Sequence, residues 1–105
     1  MVRGDVHAIT LPRGRGRAQS GHRYAVVVQA DGLMGLSTVA ICPTSRSANA
    51  ASFRPQIELK GDKTQVLCEM VGHVDVSGLG TRVGHLSLEE ADAVDDALKL
   101  VLSLR

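Results

Sequence analysis

His22-Arg23-Tyr24-Ala25-Val26-Val27-Val28-Gln29 sets an arginine and a tyrosine directly before an unbroken run of small and β-branched aliphatics. Valine is restricted at χ1 and packs well on a pleated surface, so 24–29 reads as a strand. The run does not alternate polar with apolar residues, which predicts a strand buried on both faces. Working outward, Ala30-Asp31-Gly32 supplies a turn and Thr38-Val39-Ala40-Ile41-Cys42 a second β-branched strand. Pro43 has no N–H for a ladder and is expected to end that strand. Upstream, 6–10 alternates as a half-buried strand. Downstream, 55–59, 65–71 and 74–76 supply short strands, with Gly78, Gly80 and Gly84 read as turns. Ser87-Leu88-Glu89-Glu90 is a capping box. Leu88, Ala91, Val94, Leu98, Val101 and Leu102 follow at helical spacing and predict an amphipathic helix over 88–104. Many short strands and one late helix predict a mainly β (α+β) fold: a small β-barrel with a C-terminal helix.

At 105 residues and 44% hydrophobic, the chain is expected to form one globular domain, 1–105, with one modest core. Its longest aliphatic run, 25–28, is far short of the roughly 20 residues a membrane helix needs, and Arg3, Asp5 and His7 interrupt the N-terminus. A cytoplasmic protein without a membrane span is expected. Cys42 and Cys68 then read as reduced, buried thiols. The four scattered histidines and the absence of C-x-x-C or H-E-x-x-H spacing suggest no metal and no cofactor. Charge is uneven. Residues 1–55 hold seven arginines against two aspartates, leaving +5, and the other half carries −4. Such asymmetry points to an anionic partner, and the arginine fork suits phosphate.

Residues 11–22 are rich in glycine and arginine and read as a long, mobile loop, a length that marks a functional candidate. Arg13, Arg15 and Arg17 can each take one phosphate there; a solvated loop is the plainer reading. Arg23 stands where this loop meets the buried strand, which would hold its guanidinium more firmly than a loop could. Thr44 and Ser45 follow Pro43 at a strand end. Their hydroxyls can bond a phosphoryl oxygen or satisfy their own backbone in a turn. His22, beside Arg23, titrates in the range useful for proton transfer. Tyr24 and Phe53 are the only aromatics, so a base-stacking platform is not expected.

Four segments together resemble the MazF/PemK/Kid-type toxins, small endoribonucleases of bacterial toxin–antitoxin pairs. Arg3-Gly4-Asp5-Val6 is similar to that family's opening R-G-D-V/I. The segment 19–31, with Gln19, Arg23 and Asp31, resembles its G-x-R-P-V-V-V-x-x-x-D strand. Ile41-Cys42-Pro43-Thr44-Ser45 resembles its P-T-S strand end. The segment 69–75, then Leu79-Gly80 and Gly84-His85-Leu86-Ser87, resembles its closing E-Q-I-R-x-I-D…L-G…G-x-L-S. The set spans nearly the whole chain in family order. Tyr24 stands where the family has proline, Met70 and Gly72 where it has glutamine and arginine. The resemblance implies an SH3-like barrel of the PemK/MazF type, a homodimer, and metal-independent, sequence-selective cleavage of single-stranded RNA. Arg23 and Thr44 match its catalytic positions, with Arg13, Arg15, Arg17, Gln19, His22, Ser45 and Arg46 around them as substrate contacts. It further implies a cognate antitoxin that lays an extended acidic segment over the same groove. The alternative function is a non-catalytic barrel that binds nucleic acid or protein, including a gyrase-poisoning toxin of the same fold.

Overall fold

The computed structural model describes residues 1–9 and 23–105. Within them the chain forms β1 (Asp5–Ile9), β2 (Arg23–Val27), β3 (Thr38–Ser45), β4 (Gln56–Leu59), β5 (Asp62–Val66), β6 (Gly72–Asp75), β7 (Leu79–His85) and one helix, α1 (Leu88–Leu102). The strand pairings among the described residues are antiparallel, in the order β4-β5-β3-β2-β1-β7. The sheet curls because β3 has two partners along one edge. Its first half pairs β6, from Thr38↔Asp75 to Ile41↔Gly72, and its last residues pair β5, Thr44↔Val66 and Ser45↔Gln65. The result is a curled half-barrel with one C-terminal helix.

The valine run is buried on both faces, as its lack of alternation predicts. Val26 pairs with Val6 and Cys42, and the three join Ile57, Leu59 and Val66 in the core under α1, which contributes Val94, Ala97 and Leu98. Ala25 and Val27 point the other way, onto Ile9, Val39 and Ile41, a layer covered by Met34, Val74, Val76 and Leu79. Gln29 extends the β2–β3 ladder with its side chain: Oε1 accepts from the Ala40 amide at 3.0 Å and Nε2 donates to the Leu33 carbonyl at 2.8 Å. Cys42 and Cys68 are free and buried. The neighbouring Cys68 thiol, together with burial, pushes the Cys42 thiol up from its ordinary range.

Several local expectations need correction. Pro43 does not end β3, which continues to Ser45. Its nitrogen faces the gap where the β6 pairing has stopped and the β5 pairing has not begun, so the ladder loses no donor there, while its carbonyl accepts from the Leu67 amide at 2.8 Å. The expected strand over 65–71 stops at Val66; Cys68–Met70 is a 3-10 turn that carries the chain from β5 to β6. Gly80 and Gly84 are not turns but lie inside β7, which runs along β1 with two register irregularities. A Cβ on Gly80 would stand 3.3 Å from both the Cβ and the carbonyl oxygen of Ala8, so glycine there allows a close strand approach. The helix stops at Leu102 rather than 104, capped by Ser103 in the left-handed region at φ 55°. No helix is long and apolar enough to cross a membrane among the described residues.

Candidate functional site

The start of β2 and the end of β3 lie at the same edge of the sheet because the strands are antiparallel. The register ends at Ala25↔Pro43, and Thr44 follows beside Tyr24, whose carbonyl its hydroxyl bonds. This edge opens into a cleft of about 540 Å³. Arg23, Tyr24, Thr44, Ser45 and Arg46 line one side, and the β4–β5 hairpin closes the other with Leu59, Lys60, Asp62 and Thr64. Four of the sequence-derived site residues, Arg23, Thr44, Ser45 and Arg46, therefore meet in one place. Arg13, Arg15, Arg17, Gln19 and His22 lie outside the described residues, as does the loop over 11–22.

The hydroxyls are held by the backbone. Thr44 is buried, and its Oγ1 donates to the Tyr24 carbonyl at 3.0 Å across the strand pair. Ser45 Oγ accepts from the amides of Ser47 and Ala48 at 3.3 and 3.1 Å. Ser45 thus forms the turn that ends β3, the plainer of its two readings. The cations differ in their partners. Arg46 donates to Asp62 Oδ2 at 2.9 Å, an exposed pair of small net worth. Lys60 Nζ lies over the Tyr24 ring, 5.6 Å from its centroid. Arg23 is half-buried at the strand start and makes no carboxylate pair among the described residues. The remaining described histidines do not line the cleft. His7 bonds the Gly80 carbonyl, His85 bonds Asp5, and His73 is exposed on β6. Among the described residues no cluster of three or more His, Cys, Asp or Glu side chains could hold a metal.

Tyr24, Lys60, Asp62 and Thr64 were not expected at the site. Lys60 and Asp62 lie 16 or more positions beyond Thr44, and only the pairing of β5 with β3 brings their hairpin across. The one local signal is Lys60-Gly61, a two-residue loop ending in glycine between two runs of strand-forming residues.

A cleft at this sheet edge, with an arginine on β2 and a threonine at the end of β3, is where relatives become informative. Residues 2–102 match the profile of the PemK-like, MazF-like toxins of type II toxin–antitoxin systems. The chain belongs to this family. It is 35% identical, over 99% of both chains, to the candidate toxin Rv3098A of Mycobacterium tuberculosis. The fold matches MazF of Deinococcus radiodurans with a TM-score of 0.82 at 19% identity, covering 99% of this chain and 97% of that one. It matches the M. tuberculosis toxin MazF-mt6 with a TM-score of 0.80 at 15% identity, covering 96% and 98%. A mycobacterial endoribonuclease solved in complex with its cognate antitoxin gives a TM-score of 0.79 at 14% identity, covering 100% and 97%. This chain is thus a MazF-like toxin with the half-barrel and C-terminal helix of that fold.

Proposed function

We propose that this MazF-like toxin is a metal-independent endoribonuclease that cuts single-stranded RNA sequence-selectively, with Arg23 and Thr44 acting on the scissile phosphate. The observation that carries the reading is the meeting of these two side chains at one cleft in a chain of this family. RNA holds its own nucleophile. The 2′-hydroxyl attacks the adjacent phosphorus, the 5′-oxygen leaves, and a 2′,3′-cyclic phosphate forms. The enzyme has to carry the charge that builds on the non-bridging oxygens and to move two protons. The Arg23 guanidinium offers two parallel donors to those oxygens from a strand paired on both sides, which is electrostatic stabilisation of a preorganised kind. Thr44 now donates to the Tyr24 carbonyl. Rotation of its C–O bond swings the proton to a phosphoryl oxygen and gives up one neutral hydrogen bond of about 1 kcal/mol. A guanidinium is a poor general base, so the 2′-proton needs another acceptor, for which His22, adjacent in sequence, is the candidate.

Arg46 and the arginines of the 11–22 segment supply further phosphate contacts, and RNA has to displace Asp62 from Arg46 to use it. The same cationic cleft suits the acidic extended segment of a cognate antitoxin, which would block it by occupancy. The toxin acts as a homodimer in this reading.

The test is incubation of purified protein with a long unstructured RNA in excess EDTA, beside Arg23→Ala protein and the matching DNA. Discrete RNA fragments from the wild type alone, with cyclic phosphate ends and DNA intact, are expected. Intact RNA in every lane would favour the second reading, a non-catalytic RNA- or protein-binding barrel. The internal engagement of Thr44 and Ser45 with backbone groups is the observation on that side.

A further inference from the structure

Lys60 stands in a conformation that its own side chain disfavours. The hairpin register ends at Leu59↔Asp62, leaving Lys60-Gly61 as a two-residue loop. Both have positive φ, 54° and 84°, the signature of a type I′ turn. That turn favours asparagine or aspartate before glycine, and lysine in the left-handed region is uncommon. A local choice that opposes the local structure marks a functional position when the side chain has somewhere to go. Here it does. Lys60 turns into the cleft and lies over the Tyr24 ring, 5.6 Å from the centroid. No carboxylate pairs with it among the described residues, and residues 10–22 contain no Asp or Glu. Arg46, the neighbouring cation, is by contrast matched to Asp62. Among the described residues, Lys60 and Arg23 are therefore the two cations that line this cleft without an acidic partner. The Tyr24 ring restrains the long lysine stem, while the ammonium keeps its three donors for an incoming anion.

We infer that Lys60 is a phosphate-binding residue of the RNA cleft, positioned by the ring of Tyr24, and that it sets how tightly single-stranded RNA is held. The inference rests on reading the cleft as an RNA site. It adds a residue from the opposite wall, so that the strand is gripped between the β2–β3 edge and the β4–β5 hairpin. Tyr24 would serve as the support for a cation and not as a stacking platform for a base.

Substitution Lys60→Asn separates stability from binding, because Asn-Gly suits a type I′ turn better than Lys-Gly. The melting temperature is expected to stay level or rise. Affinity for a short, mixed-sequence 2′-O-methyl RNA, which binds but lacks the nucleophile, is expected to fall about fivefold to tenfold in fluorescence anisotropy. The slope of log affinity against log salt should shrink by about 0.7, the loss of one phosphate contact on a single strand. With cleavable RNA the loss should appear in KM more than in kcat. Tyr24→Leu should weaken binding and add little in the Lys60→Asn background, whereas Tyr24→Phe, which keeps the ring, should lose less than Tyr24→Leu. Wild-type affinity and salt slope in a folded Lys60→Asn protein would overturn the inference alone, as would fully additive losses for Tyr24→Leu its positioning part. RNA binding that depends on Lys60, without any cleavage by the wild type, would overturn the ribonuclease reading and leave this one standing. A wild-type protein that binds no RNA would overturn both.

Discussion

Asp5 shows how a single residue can fasten two distant parts of this chain. Its carboxylate is buried, which opposes the charge. The Val2 amide at 2.9 Å, His85 Nδ1 at 2.8 Å and Arg82 Nε at 3.0 Å outweigh that cost and lower its pKa from 3.8 to about 2. A carboxyl held as its anion in the fold stabilises above the unfolded value and loses that contribution as pH falls through the folded one. The wild-type protein should therefore lose about 2 kcal/mol between about pH 4 and pH 2 from this group. Urea titrations across that range should show the drop, and Asp5→Asn should lack it while being less stable at neutral pH by a similar amount. The second residue-scale expectation concerns Arg23. Lysine keeps its charge but not its fork, so Arg23→Lys should reduce cleavage about a hundredfold with little change in melting temperature, read in single-turnover assays.

At the scale of elements, α1 is fixed by its start. Ser87 Oγ accepts from the Glu90 amide at 3.1 Å, and Glu90 Oε1 accepts from the Ser87 amide at 2.8 Å. The other carboxylate oxygen of Glu90 accepts from the Glu58 amide at 2.8 Å, so the same residue pins the helix to β4. Ser87→Ala should cost about 1 kcal/mol in urea unfolding. Glu90→Ala should cost more, since it breaks both the cap and the tie to β4. The β4–β5 hairpin has a comparable fixed point at Gly61, whose φ of 84° strains any other residue. Gly61→Ala should destabilise by about 1 kcal/mol and misplace Lys60 across the cleft.

At the scale of the whole molecule, α1 covers the half-barrel with Val94, Ala97 and Leu98 and leaves Leu100 exposed, with Leu104 exposed just beyond its end. Such side chains fit a second copy of the chain, and light scattering at micromolar concentration is expected to give about 22 kDa, twice the 11.1 kDa chain; a value near 11 kDa would remove the dimer. The sequence by itself determined the elements whose causes are local. The valine run had to be a doubly covered strand, Ser87-Leu88-Glu89-Glu90 had to open a helix, and Arg23, Thr44 and Ser45 stood out at strand ends, while Arg46 and the catalytic roles came from the family resemblance. What depended on neighbours far along the chain was settled only by tertiary structure. Pro43 stays in its strand because β3 changes partner there, and β7 runs close past Ala8 at Gly80, where a Cβ would crowd the neighbouring strand. Lys60 and Asp62 enter the cleft because β5 pairs with β3. A turn, a cap or a run of valines is decided by free energies within a few residues, whereas strand pairing and the opposite wall of a cleft are decided by contacts that exist only once the sheet has curled.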